Sequence, residues 1–136
     1  MALTGGGAGG FANTVNPTGT GTGINYVGNH AYAFSGFSNF DNNATTLLQF
    51  STGNEYIQFD LTAMRSDQDS LDSQFKLIID QQDVMVLTAT SGPNQVGTLP
   101  HDIIIPPYTN VKVTVINVSN TSTGTAGVIL AGRGYA

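Results

Sequence analysis

Cysteine and tryptophan are absent from this chain, and charge is scarce: four Lys and Arg stand against nine Asp and Glu in 136 residues. Without cysteine there is no disulfide framework, no thiolate nucleophile and no Cys-ligated zinc site. The absence also fits an intracellular origin. Charged residues make up 10%, where about 25% is usual for a soluble domain. Four cations and a pI near 4.4 argue against nucleic-acid binding, which needs clustered Lys and Arg on the phosphates. No apolar run approaches the roughly 18 residues of a membrane span. The start, Met1-Ala2-Leu3-Thr4-Gly5, lacks the basic and apolar regions of a cleaved signal. The expectation is synthesis in the cytoplasm, with release only as part of an assembled particle.

What is present is enough for a core. Hydrophobic residues are 40%, with 7 Phe and 5 Tyr, which argues against disorder. The polar remainder is mostly Thr, Asn, Ser and Gln. Neutral polar groups cost less to desolvate than ions, so such a surface suits packing against other protein.

The chain divides in two. No formally charged side chain occurs before Asp41, and residues 1–23 hold eight glycines, as GGGAGG at 5–10 and TGTGTG at 18–23. That stretch follows neither a strand nor a helix period and reads as an extended arm. The expected division is a Gly-rich arm over 1–28 and a single domain over 29–136. Leu3, Phe11, Val15, Ile24 and Tyr26 are apolar beads along the arm, expected to dock on a neighbouring subunit while the glycines allow close backbone approach.

From residue 30 the pattern changes to short alternating runs. Ile57, Phe59, Leu61 and Ala63 share one face of 56–64, with Tyr56, Gln58, Asp60 and Thr62 on the other. Similar runs occupy 30–37, 44–51, 74–80 and 83–90, the last two joined at Gln81-Gln82. Ile103-Ile104-Ile105 is bounded by Pro100, Pro106 and Pro107, which predicts a strand near a sheet edge. Val111, Val113 and Val115 mark the next strand, and 126–135 the last. Residues 64–73 could hold one short turn of helix. About eight strands separated by polar turns predict an all-β, antiparallel β-sandwich, jelly-roll-like, with the Gly-rich N-terminal arm ahead of it.

Candidate chemistry is sparse. The histidines are His30 and His101; His101 and its neighbour Asp102 would point to opposite faces of a strand, and no G-x-S-x-G turn is present. Asp67, Asp69 and Asp72 could supply oxygen ligands to calcium, but their spacing is not that of an EF-hand, and a solvated acidic loop accounts for them. Gly19, Gly21 and Gly23 lack the flanking strand, helix and lysine of a phosphate loop. Three glycosylation sequons, at Asn43, Asn117 and Asn120, are expected by chance in a chain rich in Asn, Ser and Thr. Tyr26, Tyr32, Phe34, Phe37 and Phe40 cluster within fifteen residues. Core packing of most of these rings is expected, with a sugar-stacking platform as the alternative.

The C-terminal third carries the most distinctive text: Ile103-Ile104-Ile105-Pro106-Pro107-Tyr108-Thr109-Asn110, the Val-rich run to Val118, then Val128-Ile129-Leu130-Ala131-Gly132-Arg133-Gly134-Tyr135. A short strand, a Pro-Pro turn, a Val-rich strand and a final strand ending in Gly-Arg-Gly-Tyr resembles small jelly-roll virion proteins, above all the capsid decoration (cement) proteins of tailed bacteriophages. The resemblance spans about residues 25–136 and transfers no catalytic residue and no cofactor. It implies a non-enzymatic virion protein, made in the host cytoplasm and placed on the capsid outer surface. Its implied partners are the major capsid protein and other copies of itself, with a homotrimer favoured and no nucleic acid or membrane. A carbohydrate- or receptor-binding β-sandwich module of a virion fibre is the competing expectation.

Overall fold

The computed structural model describes residues 19–22, 24–65, 71–89 and 101–135. Eleven strands are found among them and no helix: β1 (Gly19–Thr22), β2 (Ile24–Val27), β3 (His30–Phe34), β4 (Ser38–Phe40), β5 (Thr45–Thr52), β6 (Tyr56–Arg65), β7 (Ser73–Ile79), β8 (Gln82–Ala89), β9 (His101–Ile105), β10 (Asn110–Asn117) and β11 (Gly124–Tyr135). They form two antiparallel sheets. One, sheet A, runs β1-β5-β10-β7-β8; the other, sheet B, runs β2-β3-β11-β6-β9, with β4 also pairing β11.

Set aside β1, β2 and β4, and the remaining eight strands fall into a simple scheme. In chain order, the first, eighth, third and sixth lie side by side in sheet B, and the second, seventh, fourth and fifth in sheet A. That interleaving of two Greek keys is the jelly roll. The expected edge strand at 103–105 is β9, which among the described strands pairs β6 alone.

Alternation explains why these segments become strands. β6 places Ile57, Phe59, Leu61 and Ala63 inward, all at most 2% exposed, and the intervening residues outward. Burying one face of each strand between the sheets supplies the driving force. Phe50 and Phe59 meet edge-to-face across the interior, with centroids 6.0 Å apart, among Leu48, Leu77, Val113 and Leu130. A second cluster at one end gathers Phe40, Leu71, Phe75 and Val115. Arg65 lies buried beside it, where its Nη1 donates to the Leu71 carbonyl.

The arm boundary expected at residue 28 is corrected. β1 pairs β5 and β2 pairs β3, so 19–22 and 24–27 are already strands of the sandwich. The signal was present in Ile24-Asn25-Tyr26-Val27, a short alternation followed by Gly28-Asn29. Gly28 has φ +59°, which permits the tight two-residue turn between Val27 and His30. The β7–β8 turn is also displaced by one residue from Gln81-Gln82. It is made by Asp80 and Gln81, both at positive φ, with Ile79 opposite Gln82. The Asp80 carboxylate accepts from the Asn110 N–H at 2.8 Å, which holds that turn against β10. Of the helical turn expected at 64–73, residues 64–65 and 73 are strand, and 66–70 lie outside the described residues.

Candidate binding surfaces

The outer face of sheet B is assembled by register. Directly opposed residues of an antiparallel pair share a face. One row across the sheet is therefore Asn25, Tyr32, Ala131, Asp60 and Asp102, and the next is Val27, His30, Arg133, Gln58 and Ile104. Phe34, Ile129 and Thr62 extend the face at one end, and Tyr135 and Tyr56 at the other. Tyr32, Phe34, Tyr56, Tyr135 and Ile104 are all more than two-fifths exposed.

The central strand of that face is low where its flanks are tall. Ala131 and Gly132 on β11 lie between His30 and Tyr32 on β3 and Gln58 and Asp60 on β6. The result is a trough of about 390 Å³, lined also by Arg133 and Tyr135. The His30 and Tyr32 rings are within 17° of parallel, with centroids 6.5 Å apart. The Arg133 guanidinium sits 5.8 Å from the centre of the Tyr135 ring, within the range of a cation–π contact. Gln58 Nε2 donates to both carboxylate oxygens of Asp102 at 3.0 Å. This keeps Asp102 turned toward the β6–β9 side, whereas the Asp60 carboxylate has no hydrogen-bond partner among the described residues.

Gly132, opposite the buried Ala31 and Phe59, is indispensable to the β6–β11 ladder. A Cβ there would stand 1.9 Å from the Gln58 carbonyl oxygen and 2.8 Å from Phe59 Cα. The two strands approach so closely that only glycine fits.

Sheet A presents a different exterior. Gln49, Asn110, Lys112, Ile78, Gln81 and Asp83 line a depression of about 410 Å³ with no aromatic ring in it. The exposed Lys76–Asp83 ion pair, 3.0 Å long, lies on the same side. Of the four cations, Lys76 and Lys112 face out of sheet A, Arg133 faces out of sheet B, and Arg65 is buried.

A third surface is the flank where both sheets end. Contacts between β1 and β2 and between β10 and β11 align the two strand orders, which brings edge strands β8 and β9 to the same side. β8 runs for eight residues with little cover, and its one charged residue is Asp83. Val84, Val86 and Ile104 are 54%, 48% and 63% exposed there. Val84 is the extra residue of a bulge, since Met85 pairs Leu77 while Asp83 pairs Ile78. At the turn after β9, Tyr108 is 78% exposed at φ +53°. Among the bonds that hold that turn are Tyr108 N–H to the Gly53 carbonyl at 2.7 Å and Thr109 N–H to Thr52 Oγ1 at 2.9 Å.

The residues singled out from sequence distribute as follows. Ile24 and Tyr26, expected to dock on a neighbour, are 3% and 1% exposed and belong to this chain's own core. They are unavailable to a partner, because alternation in β2 points them between the sheets. Leu3, Phe11 and Val15 lie outside the described residues, as do Asp67 and Asp69. Among the described residues no group of three or more His, Cys, Asp or Glu stands close enough to hold a metal ion. No described helix is long and apolar enough to cross a membrane. Of the five clustered aromatics, Tyr26 and Phe40 are buried, whereas Tyr32, Phe34 and Phe37 are exposed. The expectation that most would be core is thus reversed.

No protein-family model matches the chain, and no curated protein matches it. Among solved structures it is similar to the infectious bursal disease virus VP2 subviral particle, at 12% identity over 89% of this chain and 34% of that one, with a TM-score of 0.43. The Gx strain of the same virus gives 13% identity, 88% and 33% coverage, and a TM-score of 0.43. The exo-β-1,3-galactanase of Phanerochaete chrysosporium with galactose gives 12% identity, 88% and 27% coverage, and a TM-score of 0.32. The chain spans about a third of the length of the first two of these.

Proposed function

We propose that this chain is a non-enzymatic structural protein of a virion. In this reading it decorates the outside of an icosahedral capsid and stabilises it by bridging coat subunits. The observation that carries the reading is the β8–β9 flank. Strand edges unpaired among the described residues, with exposed Val84, Val86 and Ile104 and hardly any charge, are a template for pairing with another chain. Soluble proteins ordinarily protect such edges, so this flank fits burial against the major capsid protein or another copy. The low overall charge supports the same role, because few ions need desolvating at a protein–protein joint. Repetition on a closed lattice lets each contact be modest in affinity. The expected solution state is a homotrimer.

Two measurements test this. Native mass at micromolar concentration should show a closed oligomer, and a monomer at all concentrations removes the trimer. Val86→Lys and Ile104→Lys place cations on outward-facing edge positions and should leave the fold intact while abolishing co-sedimentation with the capsid of its virus. If both variants sediment as fully as the unaltered protein, the edge is not the docking surface.

A second reading, a carbohydrate-binding module of a virion fibre, is favoured by the trough on sheet B. The first reading centres on the β8 and β9 edges and the second on the trough over β11.

A further inference from the structure

We infer that the sheet-B trough is a saccharide site, and that its ligand is a neutral hexopyranoside of one or two rings. The inference rests on the second reading above and supplies its ligand class and its residues.

Shape comes first. A depression of about 390 Å³ falls in the range of small-molecule sites, about 300–1,000 Å³. Its floor is the small Ala131 side chain and the backbone of Gly132. The register that sets Ala131 between Tyr32 and Asp60 on the outer face makes the depression.

Chemistry decides the class. A pyranose has an apolar face of C–H groups and a rim of hydroxyls, so its site needs a flat ring beside convergent acceptors and donors. Tyr32, backed by the near-parallel His30, supplies one ring, and Tyr135 supplies another in the lining. Across the floor, Asp60 offers a carboxylate with no protein hydrogen-bond partner among the described residues. An ionised carboxylate accepts from two vicinal hydroxyls at once, and such charge-assisted bonds are the strong ones. Arg133 brings guanidinium donors to the ring and oxygen atoms of a sugar lying in the trough.

Charge separates neutral from acidic sugars. Asp60 lines the trough and Asp102 stands directly beside it in the same row, against the single cation Arg133. The formal net charge of the whole chain is -5. A uronic or sialic acid would bring its carboxylate to a surface already negative, at a cost that a neutral sugar avoids. The second depression, on sheet A, has no ring to stack on, which leaves the trough as the favoured place.

The test is a titration of the full chain with lactose, maltose, cellobiose and chitobiose, followed by saturation-transfer and tyrosine-resolved NMR, with sialyllactose as the acidic comparison. At least one neutral disaccharide should bind with a Kd of about 1 mM or tighter and should shift Tyr32 and Tyr135. Tyr32→Ala should weaken it about tenfold, Tyr32→Phe should retain it, and Asp60→Asn should weaken it about 10- to 100-fold. Both positions face solvent, and circular dichroism will verify that each variant is folded. Val86→Lys on the flank should bind the sugar normally, so failure of the edge reading and failure of this one remain distinguishable. Three results overturn the inference: no neutral disaccharide binding at about 10 mM, binding that survives Tyr32→Ala unchanged, or binding of sialyllactose alone.

Discussion

Gly132→Ala is the sharpest test of the sheet geometry, because the added atom has nowhere to go. Its Cβ would lie 1.9 Å from the Gln58 carbonyl oxygen, 2.8 Å from the Gln58 carbonyl carbon and 2.8 Å from Phe59 Cα. Ordinary contact between carbon and oxygen needs about 3.5 Å, so strands β6 and β11 must part by well over 1 Å locally. All three obstacles are backbone, and no rotamer change relieves them. Parting the strands here weakens ladder hydrogen bonds on either side, each worth about 1 kcal/mol net. It also disturbs Phe59, whose packing tolerates little displacement. Overpacking of this kind costs about 1–3 kcal/mol where side chains can yield, and with the ladder loss the expected total is about 3–5 kcal/mol. Domains of this size have about 5–15 kcal/mol in all. Urea denaturation followed by tyrosine fluorescence should show a large fall in midpoint with little change in slope. Gly28→Ala is the comparison, since nothing lies within 4 Å of its Cβ and only the φ of +59° opposes it; about 1 kcal/mol is expected. A Gly132→Ala midpoint equal to or above that of Gly28→Ala would refute the close approach of the two strands.

Three further outcomes follow from buried and strained positions. Burial first, and then the nearby Glu55 carboxylate, push the Tyr26 hydroxyl up to about 12 from 10.0. The folded chain therefore holds that proton through the pH 10–12 window after the unfolded chain has begun to lose it, so stability falls as pH rises through the window. Tyr26→Phe should flatten that part of the pH–stability curve. Because the hydroxyl is buried without a hydrogen-bond partner, the substitution should cost less than about 1 kcal/mol at pH 7; a large loss there would mean that the hydroxyl is bonded. Phe59→Ala should destabilise by about 3–5 kcal/mol, measured by thermal melting, since Phe59 is 0% exposed and meets Phe50 edge-on. Tyr108→Gly relieves a bulky residue held at φ +53° and should raise the urea midpoint by the equivalent of about 0.5–1 kcal/mol. If it lowers stability instead, the exposed ring contributes packing that its exposure hides.

Period-2 alternation made the fold legible wherever a strand has one buried and one open face. β6 and β7 were readable for that reason, and the two prolines after Ile105 marked β9 as an edge before its neighbours were known. The misses have equally local causes. β1 is Gly-Thr-Gly-Thr, and glycine contributes no hydrophobic signal, so nothing in 19–22 distinguishes a strand from an arm. β4 has three residues, too few to show a period, and pairs β11 at Gly124–Ala126. Reading 1–28 as one arm then absorbed β2, although its four residues and the following Gly28-Asn29 carried a hairpin signal. The consequence reaches function. A truncation that removes residues 2–23 takes β1 away from the edge of β5, so it cannot test attachment separately from the integrity of sheet A.

The binding surfaces were hidden for a different reason. Each trough residue is unremarkable in its own strand: Tyr32 alternates like any outward ring, Asp60 like any outward acid, and Ala131-Gly132 like a weak patch in the last strand. Their significance is lateral. It depends on a register that sets Ala131 between Tyr32 and Asp60 and Arg133 between His30 and Gln58, across strands up to a hundred residues apart in sequence. One-dimensional periodicity says which face a residue takes, but not which residue of another strand stands beside it. The nearest available signal was compositional: in Gly-Arg-Gly-Tyr the last strand alternates glycine with Arg133 and Tyr135, which puts a cation and a ring together on the exposed face. Ala131 on a central strand, flanked by the larger Tyr32 and Asp60, makes a trough by construction. A shape thus set by strand register persists whether or not a ligand occupies it, which is the condition for a preorganised site.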